Sequence, residues 1–142
     1  MSAPRRVYLD SGALIVAALG QAGPGLRRLL ESDETEVTFL ASFMTWLEVI
    51  PKPTFNKYTN QVAFYERQRD QSVHVPINDA MLAYAFQTAV KYGLGGPDGL
   101  HLACAVTEKA DLFVTTERGT RPMHRVTEVR VVHVDALDEL FR

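Results

Sequence analysis

Short runs of strand-forming residues alternate with longer helical stretches along nearly the whole chain, and this alternation limits the fold more than any other feature. Val7-Tyr8-Leu9, Val37–Leu40, Val73–Ile77, Asp111–Thr115 and Val129–Val134 are rich in β-branched and aromatic side chains. Helix signals lie between them. Ser11 or Gly12 opens a helix through about Leu19, and Gly20 breaks it. Gly25–Ser32 places Leu26, Leu29 and Leu30 on one face. Ser42 is a plausible N-cap for a helix through Ile50, with Pro51 and Pro53 expected to stop it. Thr54–Gln71 reads as one longer helix with a mostly polar face. Asn78 caps a helix through Tyr92, Pro97 suits the first turn of a helix to about Lys109, and Asp135–Phe141 reads as a terminal helix. Strands joined by helical crossovers run parallel, and a parallel sheet is covered on both faces. The expected fold is one α/β domain over residues 1–142, a three-layer α/β/α sandwich around a central parallel sheet of about five strands.

Composition narrows the class. A chain of 142 residues can bury a core without staples. Its one cysteine, Cys104, excludes a disulfide framework or a cysteine-based zinc site. The longest apolar run, Ala13–Leu19, is shorter than the roughly 20 residues a membrane span takes. Arg5 and Arg6 before an apolar stretch resemble a secretory leader, but Asp10 interrupts it and no cleavage site follows. A soluble cytoplasmic domain is expected. With 17 acids against 15 bases, it is not built to bind nucleic acid by bulk charge.

Four acids stand where a parallel sheet puts its site, at the carboxyl ends of the strands. Asp10 ends the first strand, and Glu117 follows the fourth after Thr115 and Thr116. Asp98 is in the first turn of the helix before the fourth strand, and Glu48 is on the helix after the second. Taken singly, each has an ordinary reading as a cap, a partner of the helix dipole, or a solvated charge. Taken together they form a cluster whose members resist ionising together. A hard divalent cation such as Mg²⁺ relieves that repulsion, and such a site suits phosphoryl chemistry.

Four segments carry a family resemblance: VYLDSGALI (7–15), ASFMTWLEVIPKP (41–53), GLGGPDGLHLACA (93–105) and ADLFVTTE (110–117). In order and spacing they resemble PIN-domain proteins, close to the VapC-type toxin ribonucleases of bacterial toxin–antitoxin pairs. The resemblance implies that Asp10, Glu48, Asp98 and Glu117 are the catalytic acids and hold Mg²⁺ or Mn²⁺. It implies that an activated water hydrolyses an RNA phosphodiester. It places Thr115 on a position where a hydroxyl supports the acids, with Ser11 as a weaker supporting candidate. It also implies an antitoxin partner and a homodimer. Two positions depart from the pattern: Glu117 stands where Asp is commoner, and Gly99 replaces the usual Ala, which implies a looser site. The resemblance treats His101 as structural.

Arg118, Arg121, His124, Arg125 and Arg130 follow Glu117 with only Glu128 opposing them. Arg118, Arg121 and Arg125, with Lys52 and Lys57 after Glu48, are candidate RNA phosphate contacts, set against the plainer reading of solvated surface charge. Asp111 lies at the wrong end of its strand for the site and reads as a turn or cap. Cys104 reads as a small buried hydrophobe, and Tyr58, Phe64 and Tyr65 as packing residues rather than base-stacking ones. Gly93, Gly95 and Gly96 do not have the spacing of a phosphate-binding loop. The expected function is a metal-dependent endoribonuclease acting as a toxin. A PIN-like module that binds RNA or a protein without cutting stays open as the alternative. A phosphatase with Asp10 as nucleophile is disfavoured, because the second acid that chemistry needs is replaced by Gly12.

Overall fold

A computed structural model describes residues 3–141. Five strands, β1 (Arg5–Leu9), β2 (Val37–Ser42), β3 (Val73–Val75), β4 (Leu112–Thr115) and β5 (Val131–His133), form one sheet in the order β3-β2-β1-β4-β5. Every neighbouring pair is parallel. The expected sheet of about five parallel strands is therefore present. Eight α-helices lie among the described residues: α1 (Ser11–Ala18), α2 (Pro24–Leu30), α3 (Phe43–Val49), α4 (Pro51–Phe55), α5 (Thr59–Gln71), α6 (Asp79–Tyr92), α7 (Gly96–Thr107) and α8 (Leu137–Leu140).

The sheet register divides the core in two. Val7 stands beside Phe39 and Leu112, and Tyr8 beside Leu40 and Phe113. Side chains alternate across a strand, so the Val7 row faces one layer and the Tyr8 row the other. The Val7 row packs with Leu14 of α1, Leu26 and Leu29 of α2, and Tyr65 of α5. The Tyr8 row packs with Met81 and Ala85 of α6 and with Leu100 and Ala103 of α7. A seven-residue helix such as α2 does not persist alone in water. Burying Leu26 and Leu29, at about 2 kcal/mol each, holds it in place.

Three segments differ from expectation. The helix from Ser42 ends before Pro51 as expected, but Pro51 then starts a separate short helix, α4, where its missing N–H has no partner to lose. The helix expected over Thr54–Gln71 is divided, because Lys57 takes a left-handed φ of 61° between α4 and α5. The strand expected to reach Ile77 stops at Val75, before Pro76, which has no N–H to donate. Among the described residues no helix is long and apolar enough to cross a membrane.

Candidate active site

β1 and β4 bring the first acid to the sheet edge. The backbone N–H of Asp10 donates to the Val114 carbonyl at 3.0 Å, extending the β1–β4 ladder one residue past β1. The Asp10 side chain then starts α1: Oδ1 accepts from the Ala13 N–H at 3.1 Å. Its other oxygen, Oδ2, accepts from Thr115 Oγ1 at 2.5 Å. Thr115 Oγ1 also accepts from the Glu117 N–H at 3.0 Å, so one hydroxyl ties Asp10 to the turn that carries Glu117. Asp10 is only 8% exposed. Burial raises its pKa above the ordinary carboxylate value, and the charge of Asp98 adds to the rise.

Gly12 makes this close approach possible. A Cβ there would lie 2.2 Å from Thr116 Oγ1. With any other residue there, the Thr116 side chain would have to move from its place against the start of α1.

Glu48 projects from α3, and two donors hold the same oxygen. Oε1 accepts from Ser11 Oγ at 2.6 Å and from His101 Nε2 at 2.5 Å. The hydrogen bond from His101 holds its pKa below the usual range. Asp98 sits half-buried in the first turn of α7. Burial raises its pKa first, then the charge of Glu117, with Glu48 contributing. Asp98 thus feels Glu117 and Glu48, and Asp10 feels Asp98, which links the four acids electrostatically at the carboxyl edge of the sheet. Glu117 itself is turned to Arg121, whose Nε lies 3.3 Å from Oε2 in an exposed pair. Its carbonyl accepts from His124 Nε2 at 2.7 Å.

The donors are carboxylate oxygens, the set that Mg²⁺ and Mn²⁺ take. Two of them have ionisation opposed by burial and by each other, which a cation would relieve. Their chemistry fits a divalent cation, although among the described residues no three Asp, Glu, His or Cys side chains are grouped as a ready cage. Glu48 and Glu117 instead lean on their own partners.

The sequence profile of the PIN domain matches residues 7–128. That span contains all four acids. This chain belongs to the PIN-domain family.

Solved structures show the same fold around this PIN domain. VapBC2 from Rickettsia felis, bound to a DNA fragment from its promoter, is 16% identical with a TM-score of 0.70, covering 90% of this chain and 98% of that one. A toxin–antitoxin complex from Klebsiella pneumoniae is 20% identical with a TM-score of 0.66, covering 90% and 97%. VapBC-1 from nontypeable Haemophilus influenzae is 18% identical with a TM-score of 0.67, covering 92% and 98%. No curated protein sequence matches significantly.

The remaining expected residues fall in three places in this PIN domain. Ser11 and Thr115 touch acids directly. Arg118 and Arg121 line a cleft with Thr116 and Glu117, and Lys52 lines a groove with Glu48. Arg125 is exposed on the 3₁₀ turn Pro122–Arg125, with nothing among the described residues tying it to the acids. Asp111 accepts from the Arg6 N–H at 2.8 Å, fastening β1 to the start of β4 as a structural residue. Tyr65 is fully buried and Phe64 packs edge-on against it, while Tyr58 is exposed.

Gly99 receives a packing reason instead of a loosening one. A Cβ there would lie 2.9 Å from the Ala85 carbonyl oxygen and 3.0 Å from Ala89 Cβ. The glycine lets α6 and α7 approach closely. Sequence reasoning missed the bond from His101 to Glu48 and the role of Tyr8 behind it. The one signal was His101 three residues after Asp98, on the same helix face.

Proposed function

We propose that this PIN domain is an endoribonuclease that depends on Mg²⁺ or Mn²⁺ and serves as the toxin of a toxin–antitoxin pair. The observation that carries the reading is the charge that Glu117 and Glu48 exert on Asp98, and Asp98 on Asp10, at one sheet edge. These four residues would hold the cation. When bound, it supplies positive charge against the phosphate and lowers the pKa of a water.

The chain's own residues do the rest. Thr115 and the Ala13 N–H fix the Asp10 carboxylate, and Ser11 and His101 fix that of Glu48. Arg118 and Arg121, beside Glu117, grip phosphates next to the scissile bond, and Lys52 does so beside Glu48. The Glu117–Arg121 pair is exposed and worth little, so a phosphate displaces it cheaply.

Two apolar surfaces support the protein partners. Phe86 and Val90 of α6 are 71% and 69% exposed and border a groove with Leu82 and Leu94. A second copy covers this face. The other groove holds Ile15, Leu19 and Tyr58 next to Glu48, so an antitoxin segment seated there lies against the site it silences.

Single-stranded RNA incubated with the purified protein tests the activity. Cleavage with Mg²⁺, loss of cleavage with chelator, and a drop for Asp10→Asn larger than the 10–100-fold typical of an outer-shell change are expected. No cleavage with either metal, or cleavage indifferent to chelator, overturns it. A non-cutting binding module is the second reading. RNA or partner affinity that persists in chelator without any cleavage would support it.

A further inference from the structure

Behind Glu48 lies a buried polar chain that the four-acid reading does not use. The Tyr8 hydroxyl is fully buried and meets three side chains: His101 Nδ1 at 2.7 Å, Ser42 Oγ at 3.0 Å and Thr45 Oγ1 at 3.3 Å. His101 is 3% exposed, and its other nitrogen bonds Glu48 Oε1. Tyr8 stacks on Phe113 at a centroid distance of 5.4 Å, which holds its ring in place.

Counting protons orients the chain. A phenol has one proton and accepts through its oxygen lone pairs. Thr45 Oγ1 accepts from the Ser42 N–H at 3.4 Å and keeps its own proton to donate. With Ser42 and Thr45 donating to the phenol oxygen, the phenol proton is left for His101 Nδ1. A neutral imidazole that accepts at Nδ1 carries its proton at Nε2, and Nε2 faces the Glu48 carboxylate. Burial raises the Tyr8 pKa far above the ordinary value, so the phenol keeps its proton.

We propose that Tyr8 and His101 are positioning residues for Glu48, Tyr8 fixing the His101 tautomer so that Nε2–H and Ser11 together hold Oε1. Oε2, with no hydrogen-bond partner among the described residues, is then the oxygen presented to a cation. The cation part rests on the metal-dependent reading above; the tautomer does not. Orientation of a ligand by a hydrogen-bonded neighbour is worth 10–100-fold in metal affinity or activity. Four elements, β1, α1, α3 and α7, converge on one carboxylate in this way.

The test compares wild type with Tyr8→Phe, which removes only the hydroxyl. Long-range ¹H–¹⁵N spectra of the metal-free protein should show the His101 proton on Nε2 in wild type and partly on Nδ1 in Tyr8→Phe. Mn²⁺ affinity by electron paramagnetic resonance should fall about 10–100-fold, and kcat with it, while KM for RNA holds. His101→Gln, which keeps an amide donor for Glu48, should retain more Mn²⁺ affinity than His101→Leu. Leu26→Ala, buried in the core layer on the other face of the sheet, is the packing control: it lowers the melting temperature but leaves Mn²⁺ affinity unchanged. A proton on Nδ1 in wild type, or Tyr8→Phe with Mn²⁺ affinity within about twofold of wild type, overturns the proposal. Wild-type protein that binds no Mn²⁺ and cuts no RNA sinks the nuclease reading and the cation part with it, while the tautomer is still judged by the metal-free spectra.

Discussion

Asp98 is the acid on which its neighbours act most, and the fold opposes its charge. Its folded pKa lies above the ordinary value through burial and through Glu117 and Glu48. Folding therefore takes up a proton between the ordinary and the raised value, so stability is fuller on the acid side and falls as pH rises through the raised value. Asp98→Asn removes that cost. The melting temperature of the metal-free protein should rise by about 1–3 °C, modestly because Asp98 is half-buried and water screens the repulsion, while metal-dependent cleavage is lost. A lower melting temperature would contradict the electrostatic account. Cys104 shows the same sign on a thiol: burial lifts its pKa from 9.0 to about 11. The native thiol should resist alkylation at neutral pH and react on unfolding. Stability should fall as pH climbs from 9.0 towards 11, where the unfolded thiol ionises and the folded one does not.

At the scale of elements, the tightest constraint is the contact of α6 with α7. Gly99→Ala brings a methyl group against the Ala85 carbonyl and Ala89. The roughly 1 kcal/mol of helix propensity gained is outweighed by an overpacking cost of 1–3 kcal/mol. Chemical denaturation should show no net gain in stability, and a clear gain would show that the two helices separate freely. Much of the element pattern was legible beforehand. Asn78 caps α6 by accepting from the Met81 N–H, and Gly93 ends it at a left-handed φ of 68°. Both are local devices with local signals. The short helix α4 was not legible, because Pro51 as a stop and Pro51 as a first helical residue look alike in sequence. The break between α4 and α5 was not legible either, because it turns on a left-handed lysine, Lys57, where no glycine marks the bend.

Across the whole molecule, one layer of helices leaves an apolar face uncovered. Leu82, Phe86 and Val90 lie about one turn apart along α6, all exposed, while Met81 and Ala85 face the core. If a second copy covers this face, Phe86→Asp should convert a dimer to a monomer by light scattering and leave the metal affinity of the acid cluster intact. A wild-type monomer at tens of micromolar would remove the dimer from the proposal. The near balance of 17 acids and 15 bases is compatible with RNA at this scale, because four of the acids are gathered at one edge with Arg118 and Arg121 beside them.

The order of strands and helices, the parallel sheet and the gathering of Asp10, Asp98 and Glu117 near one edge follow from hydrophobic periodicity, caps and the geometry of crossovers. All of these act over a few residues or through general rules of chain connection. What required the tertiary structure are contacts between distant parts of the chain. Tyr8 meets His101 across 93 positions and His101 meets Glu48 across 53. Gly12 receives Thr116, and Gly99 receives the backbone of α6. No local pattern encodes such meetings, because the register of the sheet and the packing of α7 against it set them. His101 therefore read as a core histidine in sequence. It is a core histidine, and one of its nitrogens holds a carboxylate of the candidate site.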